Sequence, residues 1–225
     1  MASREEPLVS GEYYHVFNRG VAKQNVFSSD SDYRQAILSL DYYQYSNLPM
    51  KLSRYKQLTL EGQREVKSKI EDLDSKLVQV VAFVLMPNHW HFLLKQIADE
   101  GVSQFIGQFC NSYTRYYNTR HSRVGHVFQG TFKSVHIESQ EQLIHLSRYI
   151  HLNPYAASII KKSELLNYPW SSLPEYFSGQ SNTIEISPIL SIFKSTDKYK
   201  SFVFDHADYA RELERVKHLT IDVEE

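Results

Sequence analysis

The chain has 225 residues, is 42% hydrophobic and carries a formal net charge of −1, enough for one sizeable core with appendages rather than two full domains. Near-neutral charge argues against a protein that coats nucleic acid indiscriminately, because such binding needs a cationic excess to neutralise phosphates. A lone cysteine, Cys110, excludes an intramolecular disulfide, no basic-then-apolar leader opens the chain, and no apolar run approaches the roughly 18 to 20 residues of a membrane span, so a soluble, cytoplasmic protein without membrane contact is expected.

Tyr13 to Asn18 is aromatic and β-branched and stops at Arg19-Gly20, which predicts a first strand closed by a turn. From Ser31 to about Tyr45, Tyr33, Ile37, Leu40 and Tyr43 recur at spacings of three and four behind an Asp30/Ser31 N-cap candidate, which predicts a first helix. Residues 48–77 hold Pro49 and then a lysine and glutamate run. Their apolar positions are too sparse for deep burial, so a solvent-exposed helical insertion is expected there. Val78 to Leu85 is nearly continuously apolar and valine-rich, as a strand covered on both faces would be. Met86-Pro87-Asn88 punctuates the chain, and Trp90 to Leu94 continues as a second strand of a hairpin.

Phe105, Ile106, Phe109, Tyr113, Tyr116 and Tyr117 place a second long helix over Ser103 to about Thr119, with Ser103 as its N-cap. After a turn-rich piece bracketed by Gly125 and Gly130, Phe132 to Ile137 alternates as a strand. The order strand, helix, strand, strand, helix, strand is that of an α+β, ferredoxin-like split βαβ sheet. A helix follows over Ser139 to Leu152, opened by the Ser139-Gln140-Glu141-Gln142 capping pattern. The expected division is a catalytic domain over 1–154 and a helical C-terminal extension over 155–225, packed on it through Tyr168 and Trp170 and ending in an acidic helix from about Asp205 to Lys217.

Charge is segregated along this chain. Between Gly101 and Ile137 there is no acidic residue, while Arg115, Arg120, Arg123 and Lys133 stand among aromatics that include Tyr116, a mixture suited to phosphate contact and to stacking on unpaired bases. The alternative is a helix with an ordinary solvated cationic face.

Alternate side chains of a strand share a face, so His89 and His91 project together and Trp90 to the other side. Two neutral imidazoles aimed at one point suit a divalent metal and leave positions open for water or phosphate oxygens. On spacing alone, the pair serves equally well as hydrogen-bonding partners within a sheet.

The longer string Met86-Pro87-Asn88-His89-Trp90-His91-Phe92-Leu93-Leu94 resembles the single-tyrosine transposases of the HUH class, in which two histidines flank a hydrophobic residue. Val124 to Lys133 and then Leu146-Ser147-Arg148-Tyr149-Ile150-His151-Leu152-Asn153-Pro154 are similar to the REP-associated tyrosine transposase branch, over roughly Tyr13 to Pro174. The resemblance implies Tyr149 as nucleophile on a catalytic helix after the last strand, His89, His91 and Asn153 as ligands of Mg or Mn, and single-stranded or hairpin DNA as the partner of a monomer, with a dimer as the alternative. Tyr149 and Asn153 are four apart and so share a helical face, although Pro154 is expected to end or kink the helix at Asn153. His145, one turn before Tyr149, and His15 on the first strand are auxiliary candidates. Two rival readings use the same residues. A His-x-His metal hydrolase needs further ligands on other strands of a larger barrel than this length supplies, whereas a nucleic-acid-binding derivative would keep the sheet without cutting.

Overall fold

The computed structural model describes residues 7–73, 75–178 and 183–212. Four strands, β1 (Tyr13–Arg19), β2 (Val78–Met86), β3 (His89–Gln96) and β4 (Lys133–Ile137), form one antiparallel sheet in the order β2-β3-β1-β4. Between β1 and β2 lie α1 (Asp30–Tyr42), α2 (Leu52–Tyr55) and α3 (Leu60–Asp72), and α4 (Gly101–Arg120) joins β3 to β4. After β4 come α5 (Gln140–Ala156), α6 (Glu175–Ser178), α7 (Ser187–Phe193) and α8 (Thr196–Phe204). This is the expected split βαβ, ferredoxin-like arrangement, with α5 and the later helices added after the last strand.

The two sheet faces have different owners. Tyr14, Val16, Trp90 and Phe92 are buried toward α1 and α4, with Phe109 of α4 standing edge-on to both Trp90 (5.7 Å between ring centres) and Phe92 (5.3 Å). Tyr13, His15 and Phe17 point the other way, and the pairing of Phe17 with His91 and of Arg19 with His89 puts both histidines on that same face. There α5 crosses β2 and β3. Strand β2 is therefore buried on both sides, as its unbroken valine run anticipates.

Gly101 seats α4 on the sheet. A Cβ at this position would lie 2.2 Å from the Leu77 carbonyl oxygen, so only glycine permits that approach. The segment beyond α5 closes the outer edge of β2. Leu85 N–H donates to the Trp170 carbonyl (2.8 Å), Ser172 N–H to the Phe83 carbonyl (3.0 Å), and the Tyr168 and Tyr176 hydroxyls to the Leu85 and Val81 carbonyls. Backbone groups that an edge strand would otherwise present to solvent are thereby satisfied.

Four local expectations differ from the structure. The cap of α1 is Ser29, whose hydroxyl accepts from Asp32 N–H, because the first helical turn already includes Asp30 and Ser31. Helix α4 begins at Gly101 behind Glu100 in the left-handed region, so Ser103 lies inside its first turn. The insertion is not wholly exposed: Leu52, Tyr55 and Ile70 bury against Tyr42 of α1 in a small separate cluster, since helices with few apolar residues each can pool them where they meet. Finally, α5 runs through Pro154 to Ala156. Pro154 falls in the last turn, and the helix closes beyond it with Ala157 N–H on the Asn153 carbonyl (2.9 Å) and Ile159 N–H on that of Pro154 (2.9 Å). Of the expected acidic tail, the residues from 213 on lie outside the described part; Asp208 before them bonds Lys162 and the Tyr155 hydroxyl.

Candidate active site

The turn at Pro87 and Asn88 is held from two sides, by Val26 and Phe27 N–H on the Pro87 carbonyl and by Gly20 N–H on that of Asn88 (2.7 Å). It launches β3 so that His89 and His91 emerge toward α5 while Trp90 is fully buried behind them. The two imidazoles stand edge to face, 5.1 Å between centres. The outer nitrogen of each is occupied: His89 Nδ1 lies 2.6 Å from Asn88 Oδ1, and His91 Nδ1 lies 2.9 Å from Nε2 of His15 on β1. A metal would therefore be met by the Nε2 atoms, with rings already oriented by their neighbours.

Tyr149 reaches this cluster from α5. Its ring is edge-on to His91 at 5.5 Å and to His15 at 6.1 Å, and the side chain keeps 41% of its surface exposed. Phe17 packs its ring against both His15 (4.8 Å) and His91 (5.5 Å), forming the apolar floor beside the tyrosine. Burial lowers the pKa of His15 to about 4. It lowers that of His91 well below the ordinary imidazole range, helped by the repulsion a charge would meet from His89 and His15. Both rings are thus neutral near pH 7, the form that ligates metals.

Asn153 lies one turn after Tyr149 on the same unbroken helix and is 8% exposed. Its amide nitrogen is buried without a hydrogen-bond partner. The two ends of a carboxamide are distinguished only by their bonding, and a buried amide with an orphaned end is one that a cation could satisfy through its oxygen. Among the described residues no three His, Cys, Asp or Glu side chains gather closely enough to hold an ion. A divalent cation at this place would rest on His89, His91 and the Asn153 carboxamide, a donor set that fits a cation leaving sites open to phosphate oxygens.

The auxiliary candidates separate. His15 belongs to the cluster. His145 is engaged elsewhere: its Nδ1 lies 2.7 Å from Arg148 and its ring meets Phe202 of α8 (5.6 Å), one turn along α5 from Tyr149. The candidate DNA-contact residues separate as well. Lys133 begins β4 opposite Phe17, on the histidine face. Arg115, Tyr116 and Arg120 line the far side of α4, and Arg123 covers the ring of Tyr117 at 5.6 Å in the turn after it. Two residues of the cluster are not singled out by sequence reasoning. Asn88 reads there only as a turn former, and Phe17 becomes recognisable only once the register pairs it with His91.

Comparison with known proteins gives a family match and a set of similar solved structures, two of which follow. The IS200-like transposase family matches residues 42–153, about half of the chain, a stretch that contains His89, His91, Tyr149 and Asn153. A REP-associated tyrosine transposase bound to a REP hairpin is similar at 12% identity with a TM-score of 0.48, covering 82% of this chain and 92% of that one. A candidate transposase from Deinococcus radiodurans R1 is similar at 11% identity with a TM-score of 0.36, covering 66% and 95%. No curated protein matches.

Proposed function

Because the chain belongs to the IS200-like transposase family, we propose that it is a metal-dependent endonuclease and strand transferase of single-stranded DNA, acting at hairpin-bearing repeats through a 5′-phosphotyrosine on Tyr149. The observation that carries this reading is the half-open phenol of Tyr149 set edge-on to the neutral His15 and His91 rings. In this reading the catalytic unit is residues 1–154, followed by a C-terminal extension over 155–225, and it works as a monomer with its own site. No helix among the described residues is long and apolar enough to cross a membrane, in keeping with a DNA-processing role in the cytoplasm.

The chemistry is a transesterification. The Tyr149 oxygen, having lost its proton, attacks a backbone phosphorus; the O–P bond forms as the bond to the 3′ oxygen breaks, and the departing strand ends in a 3′-hydroxyl. The number of phosphodiester bonds is conserved, so a returning 3′-hydroxyl can reverse the step on the same or another strand without an energy source. Phenols are weak nucleophiles while protonated. Mg or Mn held by His89, His91 and Asn153 would supply Lewis acidity at the scissile phosphate. His15 holds the His91 ring through their shared hydrogen bond, and Phe17 keeps water from that side.

The test is incubation of end-labelled single-stranded hairpin DNA with the protein and Mg or Mn, beside Tyr149→Phe. Wild type is expected to release a product and leave a covalent protein–DNA adduct, and the phenylalanine variant to do neither while still binding. Equal cutting by the variant would refute the role of Tyr149 and favour a His-x-His hydrolase. Binding by wild type with no product on a cleavable substrate would favour the non-cutting derivative.

A further inference from the structure

The helical layer carries a second charged surface, away from the histidine cluster. Between α2 and α4 runs a groove of about 940 Å³, and no acidic side chain lines it. Lys51 and Lys56 flank α2 on one wall, and Arg115 and Arg120 project from α4 on the other, with hydroxyls and carboxamides between them. All four cations are exposed. Of these cations Arg120 already has a counter-charge in Asp32 (3.6 Å), a fully buried carboxylate also engaged by the Tyr116 hydroxyl (3.3 Å) and His121 (3.4 Å). In a chain of net charge −1, such a concentration of cations favours a polyanion.

The groove lies on the opposite side of the sheet from Tyr149. Helix α4 packs its Phe105 and Phe109 on Trp90 and Phe92, whereas Tyr149 meets the face that carries His15 and His91. Two aromatic rings line the groove, and neither is an open stacking face: Tyr43 is half-buried and meets the Tyr42 ring edge to face at 5.4 Å. Tyr116 is half-buried, its hydroxyl is held by Asp32, and the Lys56 ammonium sits 5.5 Å over its ring. Proteins that grip unpaired strands combine cations with open aromatic platforms; here the cations are present and the platform is covered. Such a lining reads phosphates rather than bases.

We propose that the groove between α2 and α4 grips the phosphodiester backbone of paired DNA without regard to sequence, and that this is what the helical insertion contributes. In the proposed function it would anchor the duplex stem of a substrate whose unpaired strand is worked on across the sheet, a link that rests on that reading. The gripping itself does not depend on it.

The test is a binding titration of full-length protein against a short labelled duplex and against oligo-dT of equal length, over a range of salt. The variant is Lys51→Gln with Arg115→Gln, two exposed side chains; the control is Lys198→Gln with Lys200→Gln, two exposed lysines on α8. On the duplex, the slope of log affinity against log salt is expected to lessen by about 2, and affinity to fall about tenfold, when two phosphate-contacting cations are removed. Oligo-dT binding and the control pair's duplex binding are expected to stay at the wild-type level. An unchanged duplex slope, an equal loss on oligo-dT, or an equal loss in the α8 pair would each overturn the proposal. Because only binding is measured, these outcomes read the same whether or not Tyr149 cuts DNA.

Discussion

Replacing His151 by glutamine should make the protein less sensitive to acid while lowering its stability at neutral pH. His151 is fully buried in α5, with Nδ1 2.7 Å from the Tyr199 hydroxyl and Nε2 2.8 Å from Ser172 Oγ, and no carboxylate beside it. Burial lowers its pKa from 6.5 to about 3. Between those two values the unfolded chain takes up a proton that the folded chain refuses, so the stability contribution is complete above pH 6.5 and is lost as pH falls. From pH 7.5 to pH 5.0 the loss from this one group is about 2 kcal/mol. That corresponds to about 4 to 8 °C in Tm for a protein of this size. His15, held at about 4, and His91 are depressed in the same direction and add to the wild-type loss. The assay is urea unfolding of wild type and His151→Gln at both pH values. The variant's drop between them should be smaller by about 2 kcal/mol, whatever its starting stability. Equal drops would refute the reasoning, because they would mean that the imidazole is protonated alike in the folded and unfolded chains.

Three further outcomes are expected. Gly101→Ala drives a methyl group into the Leu77 carbonyl and should cost about 1 to 3 kcal/mol in chemical denaturation; a neutral effect would mean that α4 can slide on the sheet. Tyr199→Phe removes the hydroxyl that bridges His151 and Ser147 across α5 and α8 and should cost about 1 to 3 kcal/mol by the same measurement. Manganese at about 100 times its dissociation constant should stabilise wild type by about 2.7 kcal/mol in a thermal shift, and His91→Ala or Asn153→Ala should largely abolish that shift; a full shift in both variants would place the cation elsewhere.

The elements were readable where the amino-acid pattern has only one structural solution. An alternating Tyr13–Asn18 and a double-sided valine run in β2 admit little else, and their order specified the sheet. Capping was less readable, because Ser29, Asp30, Ser31 and Asp32 are all plausible cap residues and the choice depends on where the buried Asp32 carboxylate finds its donors, Ser28 N–H and the Ser29 hydroxyl. The continuation of α5 through Pro154 was hidden for a similar reason: a proline's local preference against helix yields when the turn around it is packed, here with Tyr155 and Leu152 buried. At the site, His-x-His spacing places two rings on one face but says nothing of what meets them. The hydrogen bond between His15 and His91 and the floor made by Phe17 follow from strand register, which is a long-range property. The separation of Lys133 from Arg115 and Arg120 onto opposite sides of the sheet is equally invisible in a sequence where they form one acid-free run.

The clasp of Trp170 and Ser172 on β2 has a consequence for the order in which the molecule is made. A nascent chain emerges from its N-terminal end, so β2, β3 and the histidine pair are complete long before the residues that seal the β2 edge. Until position 172 clears the ribosome, a valine-rich strand with unpaired peptide groups faces solvent, a template for pairing with another nascent chain. A fragment halted at 154 would keep every proposed catalytic residue and yet remain in that sticky state. Translation past the clasp, rather than completion of the catalytic residues, is the step at which the newborn protein becomes safe from its neighbours.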